Sequence, residues 1–243
     1  MVTNLDLSDV PRIDEFNGIF DGNGNTVTVG LSAENGLFNS VVEGSEVENL
    51  VVNIGANRTL PAEEYGAVAI RNEGKIENCH VKGSINVIKY QIGYRLFGGI
   101  AAYNMAPGSI EKCRDSISVN LNDIATNEAF WWGGIAGNSI SGKITKCLIE
   151  NDFNIAIRPT TSSYQTRIGS IAGVFGYSNI SECAINTDVS IAHLSYTTNY
   201  CLAYGVFAGD EWYTYDHGLR LASELNGIAS CYIPDNFSLS VNF

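Results

Sequence analysis

The chain repeats one short pattern along most of its length. A Gly-led apolar segment recurs in steps of 30, 32, 35, 36 and 36 residues, starting at Gly36, Gly66, Gly98, Gly133, Gly169 and Gly205. A second segment, Ile-x-x-Cys, follows in each later copy, starting at Ile76, Ile110, Ile144, Ile180 and Ile228. The first copy has Val47 and Leu50 at these points. Such a period is typical of repeat architectures, in which each unit stacks on its neighbours.

Apolar residues alternate with polar ones after each cysteine, which is the pattern of a half-buried strand. The fourth position after the cysteine is mostly small or polar, as at Gly83 and Asn151, and predicts a corner. Each repeat then supplies about three short strands. No helical period is long enough to cover a sheet, and the single short helical candidate is 219–225. The sequence therefore predicts an all-β, single-stranded parallel β-helix of about six rungs with repeats of about 34 residues.

The whole chain, 1–243, is expected to form one domain. Residues 1–35 form an entering partial rung, 36–204 the regular rungs, and 205–243 a last rung with an insertion at 210–226. The insertion is evident from spacing, because Gly205 and Cys231 are 26 residues apart whereas the equivalent pairs are 13 to 15 apart.

Charge and composition exclude some classes of partner. The net charge of −12 repels phosphate backbones, so nucleic acid is not an expected partner. No run of 18 apolar residues is present, so membrane insertion by a helix is not expected either. The first residues lack the basic and apolar regions of a signal peptide.

The cysteines at 79, 113, 147 and 183 fall at equivalent points of successive repeats and should stack as a ladder in the core. Free cysteine packs as a small apolar group, which favours reduced thiols. Disulfide bridges between rungs are the alternative, although parallel Cβ vectors make their geometry poor. A metal site is not expected, because the repeats lack paired Cys-x-x-Cys motifs.

The insertion carries the first candidate ligand site. Its aromatic and polar residues suit carbohydrate, because sugar C–H faces stack on aromatic rings and hydroxyl groups donate to carboxylates. The residues concerned are Trp212, Tyr213, Tyr215, Asp216 and His217. The alternative is a cap that covers the apolar end of the solenoid.

A second aromatic group lies just before the leading glycines. Trp131 is added to the candidate ligand residues, and the position before each glycine holds Tyr65, Phe97, Trp132, Ile168 or Tyr204. These stacked residues are expected to pack in the core or at a corner. The alternative is a partly exposed aromatic stripe for extended polymers.

No catalytic motif is found in the sequence, and neither a metal nor a cofactor is expected. The series Asp21, Asn23, Asn25 imitates half of a calcium loop but lacks the bidentate glutamate. The acids of the insertion, Asp210, Glu211 and Asp216, have no evident partner for general acid–base chemistry. A carbohydrate-active enzyme, either a polysaccharide lyase or a hydrolase, is therefore the second choice.

The segment 16–27 reads Phe-x-Gly-x-Phe-Asp-Gly-Asn-Gly-x-Thr-Val, and Gly-Leu-Phe and Gly-Gly-Ile-Ala-Gly units follow it. Together they resemble the GLUG-motif repeat family of bacterial surface and secreted proteins, notably those of gut Bacteroidetes. The resemblance covers roughly residues 5–243, and Asp115 and the long final repeat depart from the pattern. It implies a right-handed β-helix, an extracellular or cell-surface location with a signal or lipoprotein segment upstream of Met1, and an adhesin role.

These observations together predict a non-enzymatic module for binding or adhesion. Its expected partner is a host or environmental glycan or a surface protein. It would act as a monomer or as part of a longer surface chain, and a structural spacer is the remaining alternative.

Overall fold

A computed structural model gives the structure of the chain. It describes residues 4–31, 36–59, 63–126, 128–150, 152–159, 165–186, 189–193, 201–205, 208–211, 228–232 and 239–242. Every paired strand in these ranges is parallel to its neighbours, and residues of successive repeats occupy equivalent positions. The prediction of an all-β parallel β-helix is confirmed, and the described residues contain no helix.

Each full rung runs through four sheets in the order D, B, C and A, rather than through about three strands. The strands are short because tight corners separate them. Sheet D has five, at Glu64–Gly66, Arg95–Gly98, Phe130–Gly133, Gln165–Gly169 and Cys201–Gly205. Sheet B has seven, at Ile13–Phe16, Phe38–Val41, Ala69–Asn72, Ala101–Met105, Ala136–Ile140, Ala172–Gly176 and Ala208–Glu211.

Sheet C carries the Ile-x-x-Cys segments and sheet A the alternating segments that follow them. Sheet C has seven strands, at Ile19–Asp21, Glu46–Glu48, Lys75–Glu77, Ser109–Glu111, Lys143–Thr145, Asn179–Ser181 and Ile228–Ala229. Sheet A has ten, at Leu5–Leu7, Thr26–Val29, Val51–Asn57, His80–Ile92, Arg114–Thr126, Leu148–Ile149, Phe153–Pro159, Ala184–Ile185, Val189–His193 and Leu239–Asn242. Sheets B and C are seven levels deep, slightly more than the six rungs predicted.

The corner predicted four residues after the cysteine is absent from the two rungs in which that position is described. His80–Ile92 and Arg114–Thr126 run straight through it, and Gly83 marks only a shift in register against the strand Val51–Asn57. The equivalent positions of the next two rungs, Asn151 and Thr187, lie outside the described residues. The prediction was therefore wrong for two rungs, because the alternation of buried side chains continues through Ile117.

The core consists of ladders of equivalent apolar side chains. Sheet C contributes one ladder that is completely buried, formed by Val47, Ile76, Ile110, Ile144 and Ile180. Burying a side chain of this size stabilises the fold by about 1.5–3 kcal/mol. Leu50 is buried where the next rungs have cysteine, which agrees with the predicted need for an apolar group at that point.

A second set of ladders lies at the corner between sheets C and A. The residue just before each core position has a positive φ, although none of these residues is glycine. The set is Asn49, Asn78, Lys112, Lys146, Glu182 and Ser230, with φ between 51° and 56°. Asparagine tolerates this left-handed conformation best among non-glycine residues. The later rungs show that the turn also forms with lysine, glutamate or serine.

Sheets D and B approach each other closely on one side. A Cβ atom on Gly137 would lie 2.7 Å from Leu96 Cδ1 and 2.8 Å from the carbonyl oxygen of Phe97. Only glycine fits where two backbones come this near. The close approach places the outer side chains of the two sheets next to one another, and these side chains form the surface considered below.

Candidate binding surface

A small apolar cluster lies apart from the main core, where sheets D and B meet. Its buried members are Ile70, Leu96 and Ala102. Three half-exposed aromatic side chains pack against it, and we name them the outer aromatic cluster: Tyr94, Tyr103 and Trp131. Aromatic rings that are anchored on an apolar base and still reach solvent are well suited to contact a ligand.

Hydrogen bonds fix the two tyrosines. The Tyr103 hydroxyl donates to Glu64 Oε1 over 2.7 Å, and the hydroxyl oxygens of Tyr94 and Tyr103 are 3.3 Å apart. The backbone N–H of Tyr94 donates to Glu128 Oε2 over 2.8 Å. Partial burial raises the pKa of both phenols, and for Tyr103 the bonds to Tyr94 and Glu64 raise it further. Both tyrosines are therefore neutral hydrogen-bonding groups at physiological pH.

Trp131 is held from two sides. The Arg167 guanidinium lies 5.5 Å from the centroid of the indole ring, and the Tyr94 ring meets the indole edge-on with centroids 6.0 Å apart. Arg167 follows Trp131 on the next rung of sheet D and is only 4% exposed. A guanidinium in this position is attracted to the ring face, so the indole orientation is fixed before any ligand arrives.

The aromatic residues one position later form a ladder inside the protein. Tyr65, Phe97 and Trp132 are at most 2% exposed and lie nearly parallel, with centroids 5.8 Å and 3.9 Å apart. The Tyr65 hydroxyl donates to the carbonyl oxygen of Gly30 over 2.8 Å. The prediction of core packing is confirmed for these residues. The alternative of an exposed stripe is wrong for them, because strand alternation turns them inward and their neighbours outward.

Of the six candidate ligand residues named from sequence, the structure places one. Trp131 belongs to the outer aromatic cluster, whereas Trp212, Tyr213, Tyr215, Asp216 and His217 lie outside the described residues, as does the helical candidate 219–225. Tyr94 and Tyr103, which join Trp131 in this surface, were not predicted from the sequence. One signal was available, because Glu64, Leu96, Trp131 and Arg167 occupy equivalent positions of successive rungs.

Three carboxylates approach one another on the outer face of sheet C. Oxygen atoms of Glu46, Glu48 and Glu77 lie within 4.8 Å of each other. Two lysine ammonium groups pair with these carboxylates. Lys75 Nζ is 2.7 Å from Glu46 and also pairs with Glu77. Lys112 Nζ is 2.6 Å from Glu77. Their hydrogen bonds lower the pKa of Glu77 to about 2. A general acid must hold its proton near neutral pH, which requires a raised pKa, so Glu77 cannot act as a general acid.

The calcium-like series at the first turn is occupied by internal hydrogen bonds. Asp21 Oδ1 accepts from the backbone N–H of Asn23 and from Asn49 Nδ2, and Asn25 Nδ2 donates to the carbonyl oxygen of Gly22. These bonds explain the residue choice as turn chemistry.

The predicted cysteine ladder is present, with its thiols unbridged. Cys79, Cys113, Cys147 and Cys183 are 1% exposed, and Cys231 is half-buried. Each of the four buried sulfurs lies against two backbone carbonyl oxygens, as for Cys147 with Ile110 and Thr145 at 3.6 Å and 3.4 Å. Burial raises the pKa of Cys113 and Cys147, so both stay protonated and unreactive.

The described part of the chain has no helix that is long and apolar enough to cross a membrane.

Comparison with known proteins supports the fold and leaves the family open. No protein-family model matches the chain, and no curated protein matches it in sequence. A solved structure that is similar is that of a candidate immunoglobulin A1 protease from Bacteroides ovatus. It shares 16% sequence identity at a TM-score of 0.56, over 98% of this chain and 69% of that one. At this identity the likeness shows the fold alone, so membership of the GLUG-motif family remains a prediction. The chain is similar in fold to a β-helix protein of Bacteroides.

Proposed function

We propose that the chain is a non-enzymatic binding module of the cell surface or the secreted space, which recognises a glycan or a surface protein. The observation that carries the proposal is the outer aromatic cluster. Tyr94, Tyr103 and Trp131 reach solvent together where sheets D and B meet, with hydroxyl groups and the Glu64 carboxylate beside the rings. Aromatic side chains with polar neighbours dominate protein and carbohydrate contacts, because they bury a large area at little entropic cost.

The arrangement favours binding over catalysis. The tyrosines remain neutral, and Arg167 and Tyr94 hold the Trp131 ring in place, so the cluster offers fixed aromatic faces and hydrogen-bonding hydroxyl groups. The enzyme alternative needs two carboxylates with different pKa values. On sheet C, Lys75 and Lys112 pair with Glu77 and hold its pKa low, so Glu77 is ionised and cannot act as the acid of such a pair.

Binding of the intact chain to a glycan array and to immobilised surface proteins tests the proposal. We expect Tyr94→Ala and Trp131→Ala each to weaken binding at least about tenfold, as loss of a central aromatic contact does. Tyr232→Ala is the matched control, because Tyr232 is an exposed aromatic residue that lies away from the cluster, bridged to Ala184. Binding that survives both cluster variants unchanged would refute this site. Trp212→Ala in the same assay tests the insertion.

A further inference from the structure

A shallow groove with an uncharged lining runs along the corner between sheets C and A in the first rungs. Its volume is about 400 Å³, and its lining residues are Asn23, Gly24, Asn49, Leu50, Val51, Asn78 and His80. None of these carries a charge when His80 is neutral, although the chain has a net charge of −12. The volume lies within the range of small-molecule sites.

The amide groups of the groove are held in place by one another. Asn78 Nδ2 donates to Asn49 Oδ1 over 2.7 Å, and Asn49 Nδ2 donates to Asp21 Oδ1 over 3.1 Å. A primary amide has two donor hydrogens and two acceptor lone pairs. The ladder therefore orients each amide while leaving it capacity for further hydrogen bonds.

Backbone geometry does not by itself require asparagine at these corners. Asn49 and Asn78 have φ near 50°, but Lys112, Lys146 and Glu182 have the same φ at the equivalent corners of later rungs. The groove is therefore lined with amides at positions where the fold also accepts charged side chains.

His80 is a second residue that packing does not demand. The equivalent position holds Val51 on the preceding rung, Arg114 on the next and Leu148 two rungs later, and all four side chains are at least partly exposed. His80 Nε2 lies 2.8 Å from Ser116 Oγ, which fixes the imidazole ring. Partial burial, together with the nearby cations Arg114 and Lys82, lowers the pKa of His80, so the ring is neutral at physiological pH.

We propose that this groove binds a neutral sugar, at a site separate from the outer aromatic cluster. Oriented amides and a fixed imidazole offer both donors and acceptors to ring hydroxyl groups, and Val51 offers an apolar contact for ring C–H groups. An anionic or cationic sugar would lose hydration without forming an ion pair inside the groove, because the nearest charges, Asp21, Lys82 and Arg114, lie beside it and not among its lining residues. The groove therefore selects uncharged rings.

Nuclear magnetic resonance titration of the intact chain tests the site. The probes are the methyl glycosides of galactose, mannose and N-acetylglucosamine, with glucuronic acid and glucosamine as charged counterparts. We expect at least one neutral probe to shift the Asn78 side-chain amide and the His80 ring resonances, and the charged probes to leave them unchanged.

Two variants remove ligand groups while preserving the backbone. Asn78→Gly keeps the left-handed corner, since glycine accepts that φ, and His80→Val restores the residue of the preceding rung. Each is expected to weaken sugar binding about tenfold. Lys146→Gly is the control, because it makes the same change at an equivalent corner outside the groove. Circular dichroism of each variant verifies the β fold.

Three results would overturn the inference: no neutral probe shifts these resonances, charged probes bind equally well, or folded Asn78→Gly binds as tightly as wild type. The outer aromatic cluster is tested by different variants, so either proposal can fail alone.

Discussion

Asp115 is a carboxylic acid in a ladder of apolar side chains, and its replacement should change how stability depends on pH. Its equivalents on neighbouring rungs of sheet A are Val52, Val81, Ile149 and Ile185, all buried. Asp115 itself is 4% exposed. One carboxyl oxygen accepts from the backbone N–H of Ile117 over 2.9 Å. Burial outweighs this bond and raises the pKa from 3.8 to about 8.

The sign and size of the effect follow from linkage between protonation and folding. Below pH 4 the carboxyl is protonated in both states and carries no penalty. Between about pH 4 and 8 the unfolded chain loses the proton that the folded chain keeps, so stability falls by roughly 1.4 kcal/mol per pH unit. The raised pKa of about 8 sets a ceiling of roughly 6 kcal/mol on the total loss.

The perturbation is Asp115→Asn, which keeps the shape of the side chain and cannot ionise. Urea denaturation of both proteins at intervals from pH 4 to 8.5 gives the free energy of unfolding, and the difference between them isolates Asp115. The subtraction is needed because His80 has a lowered pKa, which makes both proteins less stable as pH falls through the same range.

We expect the two proteins to differ least at pH 4 and the variant to be several kcal/mol more stable at pH 8.5. Asp115→Val, which introduces the residue of Val81, should show the same trend in its difference from wild type. A difference that stays constant over the whole pH range would refute the reasoning, because it would show that the carboxyl titrates alike in both states.

Two further predictions concern packing. Gly134→Ala would place a Cβ atom 2.3 Å from the carbonyl oxygen of Ser170 and 2.6 Å from Ile149 Cδ1. We therefore expect the free energy of unfolding to fall by about 1–3 kcal/mol. In the control, Gly24→Ala, the new Cβ meets no atom within 4 Å, so the only cost comes from the positive φ of residue 24. Alkylation of the native protein followed by mass spectrometry should label Cys231 well before Cys113 and Cys147, because burial and a raised pKa protect the latter two; equal labelling rates would contradict the ladder.

The architecture could be predicted from sequence because a β-helix repeats its own chemistry. The Ile-x-x-Cys unit marks the same two inward positions on every regular rung, so its recurrence gave both the parallel stacking and the thiol ladder. The number of strands per rung was harder to predict from the sequence. Sheets D and B meet at a glycine-rich reversal, as at Gly133 and Gly134, and a continuous apolar segment in sequence hides the change of direction.

The candidate surfaces were harder to predict because their residues come from different rungs. Trp131 stood out by residue type, but Tyr94, Tyr103 and Glu64 join it only through the close approach of sheets D and B. The groove beside His80 was missed altogether. Its asparagines resemble ordinary turn residues, and only the equivalent corners with Lys112 and Lys146 show that the turn does not require them.

A ladder supplies its own control for the role of each residue. Its members share backbone geometry and packing environment, so a member that differs in kind from its neighbours is not explained by the fold. Asp115 among valine and isoleucine is an exception of this kind, whereas the outward ladder that contains His80 changes in residue type from rung to rung, with Val51, Arg114 and Leu148. Asp115 faces the core, where a carboxyl can only affect stability and its pH dependence. His80 faces outward into a groove, where the core does not dictate the residue type and a polar group is available to a ligand. The direction in which a polar side chain points thus separates a stability effect from a binding role.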